Sequence, residues 1–456
     1  MINISDFVII ARWWEGWRVK LVRMSLLDGR EGFLLPVGKC IYFLGAGAYG
    51  GCCDRIPAGA KRVFRLFYFN FPMKANRVAV VLGTRPEAIK MAPLVHALNR
   101  SAHLEPVVIA TAQHREMLDQ VLDIFDIKPD YDLDLMRPNQ TLAGLTSRLI
   151  TSLDEVVKEV AASALLVQGD TTSVLAASLV SFYNNVPVGH VEAGLRTSDM
   201  RNPFPEEMNR VVTGRLAHWH FAPTQSAAQN LLNEQVPADS VFMTGNTVID
   251  ALFEARQHPK KVPRRVAEGR KMMLVTTHRR ENFGDPLKRI CAAVAELLKR
   301  NPALDVLFPV HPNPNVSSIV YEALGNHPQV DLCAPLDYLS FIAAMEAADI
   351  ILSDSGGVQE EAPALGKQVL VLREETERPE AVSFGVAALV GTETASIVDK
   401  AQRLLTDPLA YAAMARGASP YGDGQAAHRI VTILEQALCD GASVSGSASS
   451  SMPNNQ

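Results

Sequence analysis

Three acidic residues stand where apolar runs end. Asp170 follows Leu165–Gln168, Glu192 follows Val186–Val191, and Glu206 opens Glu206-Glu207-Met208-Asn209-Arg210 just behind Pro205. A carboxylate at the end of a buried strand suits proton transfer, because burial raises its pKa toward the working range. Plainer explanations exist for Asp170 and Glu206. Asp170 ahead of a helix reads as an N-cap, and Glu206 with Glu207 in a first turn complements the helix dipole. That account explains one glutamate easily, but not three carboxylates and Arg196 gathered at one edge.

A second group suits an anion. Gly83-Thr84-Arg85-Pro86 follows the apolar run Val78–Leu82 and opens a helix. Gly83 permits a tight turn, and Pro86 fits the first helical turn, where its missing N–H costs nothing. Arg85 and Lys90 then set two cations beside free backbone N–H groups, a corner for a diphosphate or carboxylate. His278-Arg279-Arg280 ends another apolar run and suits a phosphate, although charge clusters are more often solvated surface. Ser355-Gly356-Gly357 has the same shape, and Glu361, about one turn on, is placed to accept from ribose hydroxyls. Arg378, between Glu377 and Pro379-Glu380, adds a further cation among carboxylates. The six cysteines show no CxxC pair and no metal-ligand spacing, so we expect no metal and a reduced, cytoplasmic setting.

These residues need a frame. From residue 77 strand and helix patterns alternate, first through Val78–Leu82, Pro106–Ala110, Leu165–Gln168, Val186–Val191 and His218–Ala222. A second series follows through Met272–Thr276, Val306–Val310, Gln329–Cys333, Ile350–Ser353 and Gln368–Leu372. Alternation of this kind predicts parallel sheets covered by helices on both faces. The expected fold class is α/β, with two doubly wound Rossmann-like domains facing across a cleft. Thr244-Gly245-Asn246-Thr247 reads as the linker, giving domains at 74–244 and 245–420, and the polar stretch 441–456 reads as a disordered tail.

Composition narrows the function. The 456 residues are 48% hydrophobic and 20% charged, as in a soluble globular protein, and a net charge of -5 gives no footprint for nucleic acid. Residues 1–72 differ from the rest: ten Lys and Arg against five Asp and Glu, and three of the four tryptophans. Residues 1–73 therefore read as an atypical, dispensable extension, with Met73 the start of the working protein. Gly32–Gly51 is apolar but contains Pro36, Lys39 and six glycines, which makes a poor membrane helix. Gly45-Ala46-Gly47-Ala48-Tyr49-Gly50 fits GxGxxG, but it lacks a following helix pattern and an acidic residue about 20 positions on, so NAD binding is not expected.

The ordered motifs GTRPEAIKMAP, QGDTTSVLAASL, PVGHVEAGLRT, PFPEEMNR, TGNTVIDAL, HRREN, PVHPNPNV, SDSGGVQEEAP, ETERPEA and PYGDGQA closely resemble the non-hydrolysing UDP-N-acetylglucosamine 2-epimerases. The resemblance spans roughly residues 74–435. It implies a glycosyltransferase-B-type fold, a homodimer, no cofactor, and interconversion of UDP-GlcNAc and UDP-ManNAc through a glycal. It also implies that a final helix, about 421–438, crosses back onto the first domain. By motif, Arg85, Lys90, His278, Ser355, Gly356, Gly357, Glu361 and Arg378 contact UDP, with Phe341 near the uracil. Asp170, Glu192 and Glu206 are the implied acid/base carboxylates, the first two also touching substrate, while His278 stabilises the leaving diphosphate. Gln113, His114 and Gln140 resemble the region where some members bind a second, activating UDP-GlcNAc. The rival readings are an epimerase of a UDP-diacetamido sugar or its uronic acid, and a glycosyltransferase of the same fold.

Overall fold

The computed structural model describes residues 7–8, 22–26, 31–37, 40–45, 76–111, 115–137, 140–259, 269–376, 378–415 and 419–444. The chain divides into two compact units, Met1–Met73 and Lys74–Gln456. In the first, β1 (Phe7–Val8), β2 (Val22–Leu26), β3 (Glu31–Val37) and β4 (Cys40–Gly45) form an antiparallel sheet in that order. The Gly-rich run after Ile41–Leu44 thus leaves a strand paired antiparallel with its predecessor. A dinucleotide site is built on parallel strands instead.

The second unit holds two parallel sheets. Its first comprises β5 (Asn76–Leu82), β6 (Leu104–Ala110), β7 (Tyr131–Asp132), β8 (Ala164–Gln168), β9 (Val188–Val191), β10 (Trp219–Ala222) and β11 (Val241–Met243). Their spatial order is β11-β10-β9-β8-β5-β6-β7. The second sheet contains β12 (Lys271–Thr276), β13 (Leu304–Pro309), β14 (Val330–Cys333), β15 (Ile350–Ser353), β16 (Val369–Val371) and β17 (Ala387–Leu389). Here the order is β14-β13-β12-β15-β16-β17. Both sheets reverse direction beside their first strand, so each has a crevice at the carboxyl ends of β5/β8 and β12/β15. Val78 to Leu82 are buried, as a central strand covered on both faces requires.

Thr247, expected in a linker, instead begins the helix Thr247–Ala255, capped by the Asn246 side chain on the Val248 N–H at 3.0 Å. Ile249, Leu252 and Ala255 of this helix join one continuous core with Leu94 and Leu98 of the Arg85–Arg100 helix and with Met272 and Leu274 of β12. The last helix, Ala426–Val444, packs on the Arg85–Arg100 helix through Ile430 and Leu434. Asp250 accepts the Ala427 N–H at 2.9 Å at its start. It continues over 441–444, which composition assigns to the tail. Among the described residues no helix is long and apolar enough to cross a membrane.

One glycine fixes the approach to the cleft. Gly194, two residues past Glu192, has φ +90°, and a Cβ there would lie 2.1 Å from the Ala227 carbonyl oxygen. Gly194→Ala is expected to destabilise the chain by several kcal/mol, since both the backbone conformation and the close approach exclude a side chain. Thermal melts of the variant measure it, and an unchanged melt would refute the account.

Candidate functional site

The carboxyl ends of the central strands meet at a cleft of about 620 Å³ between the two parallel sheets. Lys90, Asp170, Glu192, Glu206, Arg210 and Arg378 are among its walls.

On the first-sheet side, Gln168 is in register with Val191, which sets the loops carrying Asp170 and Glu192 side by side. The N-cap explanation of Asp170 is overturned. Thr171 caps the Thr172–Tyr183 helix, its hydroxyl accepting the Val174 N–H at 3.4 Å, and the Asp170 carboxylate is left to face the cleft. Its Oδ2 lies 2.5 Å from Arg210 Nη2, and its carbonyl accepts from Asn209 Nδ2 at 2.8 Å. Burial raises the Asp170 pKa, Arg210 counteracts that, and the nearby Glu192 and Glu206 carboxylates push it up again. Glu206 starts the Glu206–Leu216 helix and is half-buried on the cleft wall. Glu207 turns inward, accepting the Thr197 and Ser198 N–H groups at 3.0 and 3.2 Å. Arg196 also lines the cleft, its guanidinium paired with Glu234 at 2.6 and 3.0 Å.

Glu192 corrects a second expectation. Burial does push its carboxyl up, but the Lys90 and Arg378 charges and the bonds from Lys90 and Asn246 outweigh it and hold the pKa below the ordinary value. Lys90 Nζ sits 2.6 Å from Oε1, Asn246 Nδ2 donates to the same oxygen at 3.0 Å, and Gln168 Nε2 donates to the other. Glu192 is therefore a fixed anion in this arrangement. Burial likewise works against the Lys90 charge, yet Glu192 and Glu360 keep its pKa above the usual range. Nearby His190 is buried, with Nε2 2.7 Å from the Gly169 carbonyl oxygen, and burial drives its pKa to about 4. It is a neutral donor to the loop that carries Asp170.

At the start of the Arg85–Arg100 helix, Glu87 turns back to accept the Gly83 and Thr84 N–H groups at 2.6 and 3.2 Å. Burial pushes this carboxyl up to about 7. The turn that presents Arg85 and Lys90 is thus tied from within.

On the second-sheet side, Thr276 is in register with Ser353, and this brings His278 to Asp354. Asp354 is fully buried and accepts the His278 and Arg279 N–H groups at 3.1 Å and Asn282 Nδ2 at 2.9 Å. The His278 ring is half-exposed, with Nδ1 3.3 Å from Asp354 Oδ1. Ser355 precedes the Gly356–Ala364 helix. A Cβ at Gly356 would come no closer than 3.8 Å to another group, and one at Gly357 no closer than 3.7 Å. Among the described residues nothing demands glycine at these positions; a ligand pressed against the helix start would. Glu361 is buried and accepts from Tyr338 Oη at 2.9 Å, and burial pushes its carboxyl to about 7. Arg85 is close enough to act on that charge. Arg378 Nε bonds Glu360, whose other oxygen lies 3.9 Å from Lys90 Nζ. Glu360 thereby joins the two sides.

Of the residues singled out by sequence, Lys90, Asp170, Glu192, Glu206 and Arg378 share the cleft wall. Arg85, His278, Ser355, Gly356, Gly357 and Glu361 cluster around the ends of β12 and β15. Arg279, on the cleft wall, would lie 3.8 Å from a Gly356 Cβ and so borders both groups. Phe341 is half-buried against the core on the Tyr338–Ala347 helix, away from the cleft wall. Gln113 and His114 lie outside the described residues. Gln140 accepts the Arg137 N–H at 3.3 Å and a bond from Arg148, and it is not part of the cleft lining. Sequence reasoning passed over Gln168, Arg210, Asn246, Asp354 and Glu360. Each stood inside or beside a quoted motif, but its partner lies far away in the chain.

The comparisons with known proteins agree in direction. A family model described as UDP-N-acetylglucosamine 2-epimerase matches residues 96–435. The UDP-N-acetylglucosamine 2-epimerase of Yersinia pestis is 54% identical over 369 residues, covering 79% of this chain and 98% of the relative. The crystal structure of UDP-GlcNAc 2-epimerase from Neisseria meningitidis bound to UDP-GlcNAc is 47% identical, with a TM-score of 0.72, over 79% of this chain and 100% of that one. The S. aureus MnaA–UDP co-structure is 43% identical, with a TM-score of 0.73, over 80% of this chain and 97% of that one. Two parallel sheets of this order, a cleft between them and identity at this level over nearly the whole of each relative leave one assignment: the chain belongs to the UDP-N-acetylglucosamine 2-epimerase family of isomerases, with the glycosyltransferase-B-like fold.

Proposed function

We propose that this chain interconverts UDP-GlcNAc and UDP-ManNAc by elimination and re-addition of UDP. The observation that carries the reading is that Asp170, Glu192 and Glu206 wall one cleft whose facing side bears Arg279 and Arg378. The C2 proton of the sugar has no neighbouring carbonyl to acidify it, so direct abstraction is difficult. Loss of UDP from C1 changes the problem. A carboxylate takes the C2 proton as the C1–O bond breaks, giving the 2-acetamidoglucal and UDP. A carboxyl on the other face then delivers a proton to C2, and a UDP oxygen re-forms the bond to C1. Asp170 and Glu206 are the groups assigned to proton transfer, and Glu192 keeps Lys90 and Asn246 in place around them. His278 and Arg85, with the N–H groups at Ser355, Gly356 and Gly357, hold the diphosphate, where positive charge counts most as the leaving group develops. Glu361 takes the ribose, Phe341 lies toward the uracil, and Lys90 and Arg378 supply charge between the two sides.

We further assign the working body to 74–244 and 245–420 with the returning helix. The active form is a homodimer, and the product serves as a ManNAc donor for bacterial surface polysaccharide.

Proton NMR of the full chain with UDP-GlcNAc in D₂O tests the reaction. The expected result is growth of UDP-ManNAc with deuterium at C2 of both sugars. Free ManNAc with UDP would mean hydrolysis, and turnover of only a UDP-diacetamido sugar would move the substrate; either outcome rejects the proposal.

A further inference from the structure

The first two turns of the Glu206–Leu216 helix do more than present Glu206. Residues three and four apart share a helix face, so Glu206, Asn209 and Arg210 all point toward the end of β8. Asn209, only 1% exposed, holds the Asp170 carbonyl, and Arg210 holds Asp170 Oδ2. Arg210 is itself clamped. Its Nη1 lies 3.1 Å from Glu207 Oε2, and Glu207, also 1% exposed, is fixed by the Thr197 and Ser198 N–H groups. One guanidinium therefore spans a buried structural carboxylate and a carboxylate that faces the cleft.

We propose that Arg210 is a positioning residue which, by tying Oδ2, aims Oδ1 of Asp170 at the reacting carbon. The proposal rests on reading Asp170 as an acid/base group. A carboxylate that is free to rotate samples many directions; one anchored through a single oxygen offers the other along a fixed line. Charge follows the same geometry. The strongest influences on the Asp170 charge are Arg210, Glu192 and Glu206, and Arg210 is the cation among these three; Lys90, Arg196, Arg279 and Arg378 also line the cleft. Without it, burial and two carboxylates lose their nearest counterweight, and Asp170 takes up a proton at higher pH.

The test is the pH profile of kcat for UDP-GlcNAc epimerisation in Arg210→Met and Arg210→Lys, beside Asp170→Asn. In Arg210→Met we expect kcat near neutrality to fall about 10²-fold, with KM and UDP affinity within about threefold. The acidic limb of its profile should move up by roughly one pH unit or more, so that part of the loss returns in base. Arg210→Lys, which can still pair with Glu207, should fall between the two. Loss at every pH with an unmoved limb would make Arg210 merely structural and overturn the proposal. Normal turnover in Arg210→Met while Asp170→Asn is inactive would overturn it too. Normal turnover in Asp170→Asn would instead overturn the underlying reading. Should Arg210→Met fail to fold, Arg210→Lys decides, since an unmoved limb with wild-type kcat there refutes the positioning role.

Discussion

Asp170→Asn is expected to lower turnover of UDP-GlcNAc by about 10³-fold while UDP affinity stays within about threefold of wild type. The substitution is nearly isosteric. An asparagine Oδ1 can still accept from Arg210, and the Asn209 bond to the backbone carbonyl is untouched. What disappears is the capacity to carry a proton. The UDP-facing groups near the ends of β12 and β15 do not depend on that carboxylate, so calorimetric titration with UDP should see little change. Steady-state turnover with saturating UDP-GlcNAc measures the loss. Near-normal turnover would remove Asp170 from the chemistry and leave it as a partner for Arg210.

Lys90→Met carries the other large effect, on stability as well as on activity. Lys90 stands between two carboxylates, Glu192 at 2.6 Å and Glu360 at 3.9 Å, whose side chains are only 6% and 3% exposed. Removing the shared cation leaves Glu192 with hydrogen bonds and the more distant Arg378. Stranding a buried charge in this way costs about 3–5 kcal/mol. The cost should depend on pH, with a sign that can be worked out. In the wild type Glu192 titrates below its ordinary 4.5, so its contribution is present above 4.5 and is lost as pH falls through the lowered value. In the variant burial dominates and Glu192 titrates above 4.5, so the penalty is absent in acid and grows as pH rises through the new value. The stability gap between the two proteins should therefore narrow from pH 8 to pH 5 in thermal or urea unfolding. An equal gap at both pH values would show that the Lys90–Glu192 pair is not its source.

How much of this was legible in the sequence follows from the range of each interaction. Ten strands of the two parallel sheets were legible because their apolar, β-branched runs report burial locally; Ile350–Ser353 matches residue for residue and the others differ by one or two at their ends. The short edge strands β7, β11 and β17 were passed over. The Arg85 helix was legible because Pro86 marks its first turn. Asp170 was ambiguous because the neighbouring threonine is an equally good cap, and only the structure shows Thr171 taking the Val174 N–H. The direction of the Glu192 pKa was misread since its decisive partner, Lys90, stands 102 residues earlier. The same applies to Asp354, which looks like one polar residue in a glycine-rich turn until its hydrogen-bond partner 76 residues back, His278, is seen. Helix Thr247–Ala255 was hidden behind a Gly-Asn signal that marks both a linker and a helix cap.

The returning helix has a consequence for how the protein is made. Arg85–Arg100 leaves the ribosome long before Ile430 and Leu434, which cover part of it. The bond from Ser101 Oγ to Glu435 and the grip of Asp250 on the Ala426 and Ala427 amides close only then. The first sheet therefore waits with an apolar helix face uncovered until the Ala426–Val444 helix is made. A ribosome stalled before Ala426 holds a chain whose first parallel sheet is built but not sealed.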